Sequence, residues 1–173
     1  GDMLGRAERP IALRMARADH AEQDSGDIWR ACCEATRAAL AASGVAPNEV
    51  AGISFDATCS IVVRAPSGAP VGIALDAPDG GAAARPDRWD TIVWLDHRAK
   101  AEAAECTASR HKVLDHVGGV MSPEMAIPKL MWLKRRLPEA WSRAGMIFDL
   151  ADFLTWKATG SLARSQCTLT AKW

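Results

Sequence analysis

The sequence predicts an α/β domain, a sheet covered by helices, and three observations predict it. Two apolar runs of strand type, 50–55 and 91–95, each break into polar residues, at Asp56-Ala57-Thr58 and at Asp96-His97-Arg98. Helical patterns flank both runs, as they do where strands are buried in a sheet. The chain has 173 residues, 49% of them hydrophobic, enough for one domain with a real core. In sheets of this kind ligands collect where strands end. The two polar breaks are therefore read as one wall of a small polar-ligand site.

Composition narrows the function classes. With 21 basic and 21 acidic residues the net charge is +0, which offers no electrostatic case for nucleic acid or an anionic membrane as main partner. No apolar run approaches the roughly 20 residues that span a bilayer. The N-terminus lacks a basic and apolar signal pattern. Cys32, Cys33, Cys59, Cys106 and Cys167 form no C-x-x-C pair, so reduced thiols in a cytoplasmic protein are expected. Seven tryptophans stand beside no tyrosine, and composition alone does not account for that.

In chain order, residues 3–15 alternate poorly. Ile11 and Leu13 fit an exposed strand, which Pro10 limits to an edge or a start. Asp24 and Ser25 are N-cap candidates for a helix over 26–43, with Ile28, Trp29, Cys32, Thr36, Ala39 and Leu40 as its apolar stripe. Gly44 suits the left-handed residue past its end. Pro47-Asn48 turns the chain into the central strand. A second strand follows over 59–65, then a turn at Pro66-Ser67-Gly68 and a returning strand over 71–74. Residues 76–87 read as a loop rich in Ala, Gly and Pro. After the strand over 91–94, a helix begins near Asp96 and runs to about Ser109. Gly118-Gly119 breaks the pattern, and Ser122-Pro123-Glu124 opens a short helix. Pro128 is uncomfortable inside a helix, so a new one is expected over 128–136, with Leu130, Met131, Leu133 and Leu137 facing the core. Pro138 opens another short helix, closed by Gly145. Residues 146–148 form a brief strand. Asp149 caps a helix over 150–159, with Asp152 in its first turn, and Gly160 ends it.

Five residues are candidates for ligand contact. Asp96 has two readings, an N-cap and a carboxylate accepting from ligand hydroxyls. Trp94 is either core or a platform whose face suits the C–H side of a sugar. Asp56-Ala57-Thr58 is either a plain turn or a strand end whose small Ala57 admits a ligand close to the backbone. Glu124 is either a dipole-complementing surface charge or a ligand contact. His97-Arg98 suits carboxylates or phosphate, while Lys134-Arg135-Arg136 suits a solvated helix end. The histidines lack metal-ligand spacing, so no metal is assigned. Neither a Ser/His/Asp grouping nor a G-x-x-x-x-G-K-[ST] loop is visible. Read from the residues alone, the chain is an α/β domain with a polar cleft and no assigned reaction.

The motifs go further. EQD at 22–24 with Trp29, GISFDATCS at 52–60, TIVWLDHRA at 91–99, GGVMSPEMAIPKLMWLK at 118–134, FDLADFLTWKATG at 148–160 and RSQCTLTAKW at 164–173 together resemble the FGGY carbohydrate kinase family, in its ribulokinase-like branch. The likeness covers almost the whole chain in the family's order. It implies a ribonuclease H-like (actin-like ATPase) domain, a mixed sheet flanked by helices and incomplete at both ends. Residues 1–173 would then be the N-terminal sugar-binding domain. By position, Ala57 and Thr58 match the family's sugar-contacting loop, Trp94 the tryptophan lining the sugar pocket, Asp96 a variable polar position beyond it, and Glu124 a substrate-contacting side chain. Glycerol kinases carry Arg-Glu in place of Ala57-Thr58, a departure that fits a ketopentose better than glycerol.

The resemblance also implies ATP and Mg²⁺ as cofactors, bound mostly by parts of the parent enzyme outside this chain. No Asp-x-Gly-Thr strand precedes Asp2, and the general base and ATP domain of the family lie beyond Trp173. No catalytic residue is assigned, and the 173 residues alone are expected not to catalyse transfer. The expected function is phosphorylation of a ribulose-like ketopentose or related polyol, with xylulose or glycerol as alternatives. A non-catalytic sugar-binding protein and another actin-like ATPase are the readings from other classes. A homodimer is left open.

Overall fold

The computed structural model describes residues 1–75 and 87–173; the loop predicted over 76–87 lies, apart from Asp87, outside the described residues. Helix α1 spans Ser25–Ser43. The Asp24 carboxylate accepts from the N–H groups of Gly26 and Asp27, and Gly44 takes φ 69° at the other end. Ile28 and Ala31 carry its buried face.

Four short strands form the sheet: β1 (Glu22–Gln23), β2 (Ile61–Arg64), β3 (Thr91–Ile92) and β4 (Met146–Asp149). Their order is β1-β3-β2-β4, and every pair is antiparallel, so the expected mixed sheet is present among the described residues only in its antiparallel part. Side chains alternate between the faces of β2. Ile61 and Val63 pack with Val71, Ile73, Ile92, Trp132 and Leu133 on one side. Val62 packs with Ile28, Phe148, Phe153 and Leu154 on the other. One core therefore sits under α3 (Ala126–Arg136) and α4 (Pro138–Arg143), the other under α1 and α5 (Leu150–Thr159).

Several expectations hold at the residue level. Asp149 caps α5 by accepting from the Ala151 N–H, and Gly160 closes that helix at φ 74°. Gly145 follows α4 and passes so close to Pro66 that a Cβ there would overlap the proline ring. The chain does turn back after 66–68, where the Val71 N–H donates to the Val63 carbonyl at 3.2 Å, but the strand expected over 71–74 does not form beyond an isolated bridge from Arg64 to Pro70. All five cysteines are free thiols.

Other expectations are corrected. The stretch 50–55 is not a buried strand, since Val50 is 44% and Ile53 70% exposed and no ladder includes them. The open edges of the sheet are β1 and β4, and neither pairs with that stretch. Residues 3–15 contribute one bridge, Arg14 to Glu22, and no strand. The helix after β3 is α2, Lys100–Ala108, with Ala99 at its N-cap; Asp96 does not cap it. No short helix forms at 122–124. A single α3 runs through Pro128, whose missing N–H falls in the first turn, where that donor has no helical partner. The tail, left without structure in the sequence reading, folds as α6, Gln166–Lys172, capped by Ser165.

Candidate functional site

Both polar breaks lie where β2 begins and β3 ends, and Ser60 ties them together. Its side chain is fully buried. Ser60 Oγ lies 3.1 Å from Thr58 Oγ1 and accepts from the Trp94 N–H at 3.1 Å. The Ser60 N–H donates to the Thr58 carbonyl at 2.7 Å, which turns the loop sharply before β2. Ala57 is half-buried against the α1–α5 core, and Thr58 is exposed.

Trp94 is 40% exposed, yet its backbone is held on both sides. Its N–H meets Ser60, while its carbonyl accepts from Lys129 Nζ at 2.9 Å. The same ammonium donates to the Val93 carbonyl at 3.0 Å. Lys129 is fully buried on the core face of α3. Burial lowers its pKa to about 8; Asp96 and Glu124 oppose that fall, and Lys172 and Arg98 add to it.

Asp96 and Glu124 have contrasting surroundings. Asp96 is fully buried. It accepts from the Ala21 N–H at 2.6 Å, the Arg98 N–H at 2.9 Å, and the Arg98 guanidinium at 2.8 Å. Arg98 also reaches Glu22 at 3.0 Å and lies over the Trp132 ring at 4.9 Å. Both Asp96 oxygens are thus committed to protein donors, and neither is open to a ligand in this arrangement. Glu124 is part-exposed in the turn before α3, 3.0 Å from His97 Nε2 and 3.5 Å from Lys172 Nζ. The His97 hydrogen bond is the main cause holding its carboxyl below the usual range, with Lys172 assisting.

The fold therefore joins Thr58 to Trp94 through Ser60. It brings Asp96 and Glu124 within electrostatic reach of Lys129. A separate cavity of about 790 Å³ is lined by Leu114, Met121, Met125, Met131 and Trp173; it shares Lys172 with the polar cluster and none of the five candidate residues. Sequence reasoning missed Ser60 and Lys129. Lys129 did carry a signal, a lysine three residues after Ala126 and four before Leu133, within the apolar stripe of α3.

No protein-family model matches the chain. The chain is 48% identical over its whole length to an FGGY carbohydrate kinase domain-containing protein of Danio rerio, and 40% identical over 99% of its length to a D-ribulokinase of Saccharomyces cerevisiae. The chain belongs to the FGGY carbohydrate kinase family. It spans 30% and 23% of the length of those two relatives. Among solved structures, a gluconate kinase from Lactobacillus acidophilus superposes with a TM-score of 0.73 at 19% identity, over 95% of this FGGY chain and 30% of that one. A ligand-bound xylulose kinase from the same organism gives 0.71 at 18%, with the same two coverages. At such identities the likeness establishes the fold of this FGGY chain, the ribonuclease H-like (actin-like ATPase) class. No helix among the described residues is long and apolar enough to cross a membrane. Among those residues no group of three or more His, Cys, Asp or Glu side chains could hold a metal ion. The described residues offer no site that fits Mg²⁺, and no step is assigned through one.

Proposed function

We propose that this chain is the N-terminal sugar-binding domain of an ATP-dependent kinase acting on a ribulose-like ketopentose. Ala57, Thr58, Trp94, Asp96 and Glu124 would form its sugar wall. One observation carries the reading: a tryptophan 40% exposed at a strand end whose backbone is nevertheless pinned through both its N–H and its carbonyl. An indole held rigid and open suits the C–H face of a sugar, whose hydroxyls then fall to polar neighbours. Thr58 offers a hydroxyl, and Glu124 a carboxylate whose present partners, His97 and Lys172, are exchangeable. Small Ala57 lets the sugar approach the loop backbone. Asp96 enters as a positioning group, because a direct contact would require it to release Ala21 or Arg98. The 40% identity to a D-ribulokinase supports a pentulose as substrate.

In such a reaction a sugar hydroxyl attacks the γ-phosphate of ATP, losing its proton as ADP departs. This chain's share is orientation, and turnover is not assigned to the 173 residues alone. The test is ATP-dependent phosphorylation by the full-length protein across D-ribulose, L-ribulose, D-xylulose and glycerol. Preference for a ribulose, with Trp94→Ala raising KM about tenfold or more, is the expected result. Sugar binding without turnover of any member of the panel would instead establish a non-catalytic sugar-binding protein. An unchanged KM in Trp94→Ala would remove the indole from the site.

A further inference from the structure

Lys129 is a fully buried cation outside the five residues of the proposed sugar wall. It sits in the first turn of α3, four residues in from Met125, and its side chain crosses to the end of β3. There the ladder stops: β3 pairs only through Thr91 and Ile92, and beyond it the Val93 carbonyl accepts from the Asp96 N–H at 3.0 Å while the Trp94 carbonyl has its partner in Lys129. The ammonium serves both, at 3.0 and 2.9 Å. Burying an ammonium is costly unless its donors are used and carboxylates lie near. Facing Lys129 are Asp96 and Arg98 from the segment after β3, Glu124 from the turn before α3, itself paired with His97, and Lys172 from α6. A leucine or methionine would fill that space more cheaply, so the position calls for a reason other than packing.

We infer that Lys129 is a positioning residue of the sugar wall: through charge-assisted hydrogen bonds to the Val93 and Trp94 carbonyls, its ammonium holds the Trp94 backbone so that the indole stands open at the strand end. Ser60 holds the other side of the same peptide unit. The inference rests on the reading of Trp94 as the sugar platform. Its ordering role on Trp94 is measurable without any sugar.

The experiment compares Lys129→Met with Lys134→Met, an exposed lysine on the same helix, in the full-length protein. Two quantities are read: the Kd for D-ribulose by calorimetry, and acrylamide quenching of Trp94 fluorescence taken as the difference from Trp94→Phe counterparts. Lys129→Met should weaken Kd about tenfold and raise Trp94 quenching, while Lys134→Met moves neither. Turnover at saturating sugar should fall less than KM rises. A folded Lys129→Met protein with wild-type quenching would overturn the inference. If that variant does not fold, the wild-type protein and its Trp94→Phe counterpart, compared between about pH 7 and about 9.5, decide. Trp94 quenching should rise with a midpoint near 8, as the ammonium loses its proton; a flat profile overturns the inference. If wild-type protein binds no pentulose, the sugar reading falls, and the quenching comparison still decides the role of Lys129.

Discussion

Residues 96–98 feed two electrostatic regions, and these differ in nearly everything but residue type. On one side Asp96, Arg98 and Glu22 form a network with almost no solvent contact, with ion pairs at 2.8 and 3.0 Å. On the other, His97, Glu124 and Lys172 meet at 3.0 and 3.5 Å, with side chains between 23% and 41% exposed. In the first region the side chains are sealed from solvent, so a donor removed leaves an acceptor stranded. In the second, water replaces a lost partner, and each contact is worth little. The buried network is built to stay as it is, and the open one is free to exchange partners with a ligand. Of the two carboxylates proposed for the sugar wall, Glu124 is therefore the one suited to direct contact.

The largest test of this contrast is Asp96→Ala. It leaves the Arg98 charge buried with Glu22 as its remaining carboxylate, and a loss of about 3–5 kcal/mol is expected in urea unfolding of the full-length protein. A loss below about 1 kcal/mol would show that the network is not the anchor described here.

A smaller effect is expected at Asp149, a buried carboxyl that caps α5. Burial pushes it up to about 6; the Ala151 N–H works against that rise and Asp152 adds to it. Its folded pKa lies above the unfolded value, so the native state holds a proton that the unfolded chain releases between about pH 4 and 6. Stability from this group is full below that window and lost as pH rises through it. Asp149→Asn keeps an N-cap acceptor and removes the charge. It should raise stability at neutral pH by about 2 kcal/mol and flatten the thermal-melt profile across the window. A variant less stable than wild type at neutral pH would show that the charge itself is needed.

The smallest effect is expected at Glu124. Glu124→Gln should change stability by less than about 1 kcal/mol, and that remainder should vanish at high salt. A larger, salt-insensitive loss would erase the distinction between the two regions.

Legibility in the sequence followed the range of the interactions. Helix α1 was legible because Asp24 and Gly44 act within a few residues of its ends, and α5 because Asp149 and Gly160 do the same. The strand-like run at 50–55 misled, because a strand is defined by its neighbour and neither edge strand, β1 or β4, pairs with it. Pro128 misled in the other direction: read as a helix boundary, it lies inside the first turn of a single helix. Among the site residues, Trp94 and Thr58 were singled out from the sequence, but the Ser60 hydroxyl that joins them acts across 34 positions. Lys129 reaches its carbonyls across 35 and 36.

The sequence by itself determined the caps of α1 and α5, the two polar breaks and the FGGY family pattern, since each is written in short-range chemistry or in an ordered set of motifs. The tertiary structure alone decided which carboxylate is sealed in and which is open, and that a lysine in an apolar stripe would hold Trp94. Burial and partner choice are properties of packed neighbours, and in this chain those neighbours come from distant segments: Ala21 and Glu22 for Asp96 and Arg98, α6 for Glu124, and α3 for the end of β3.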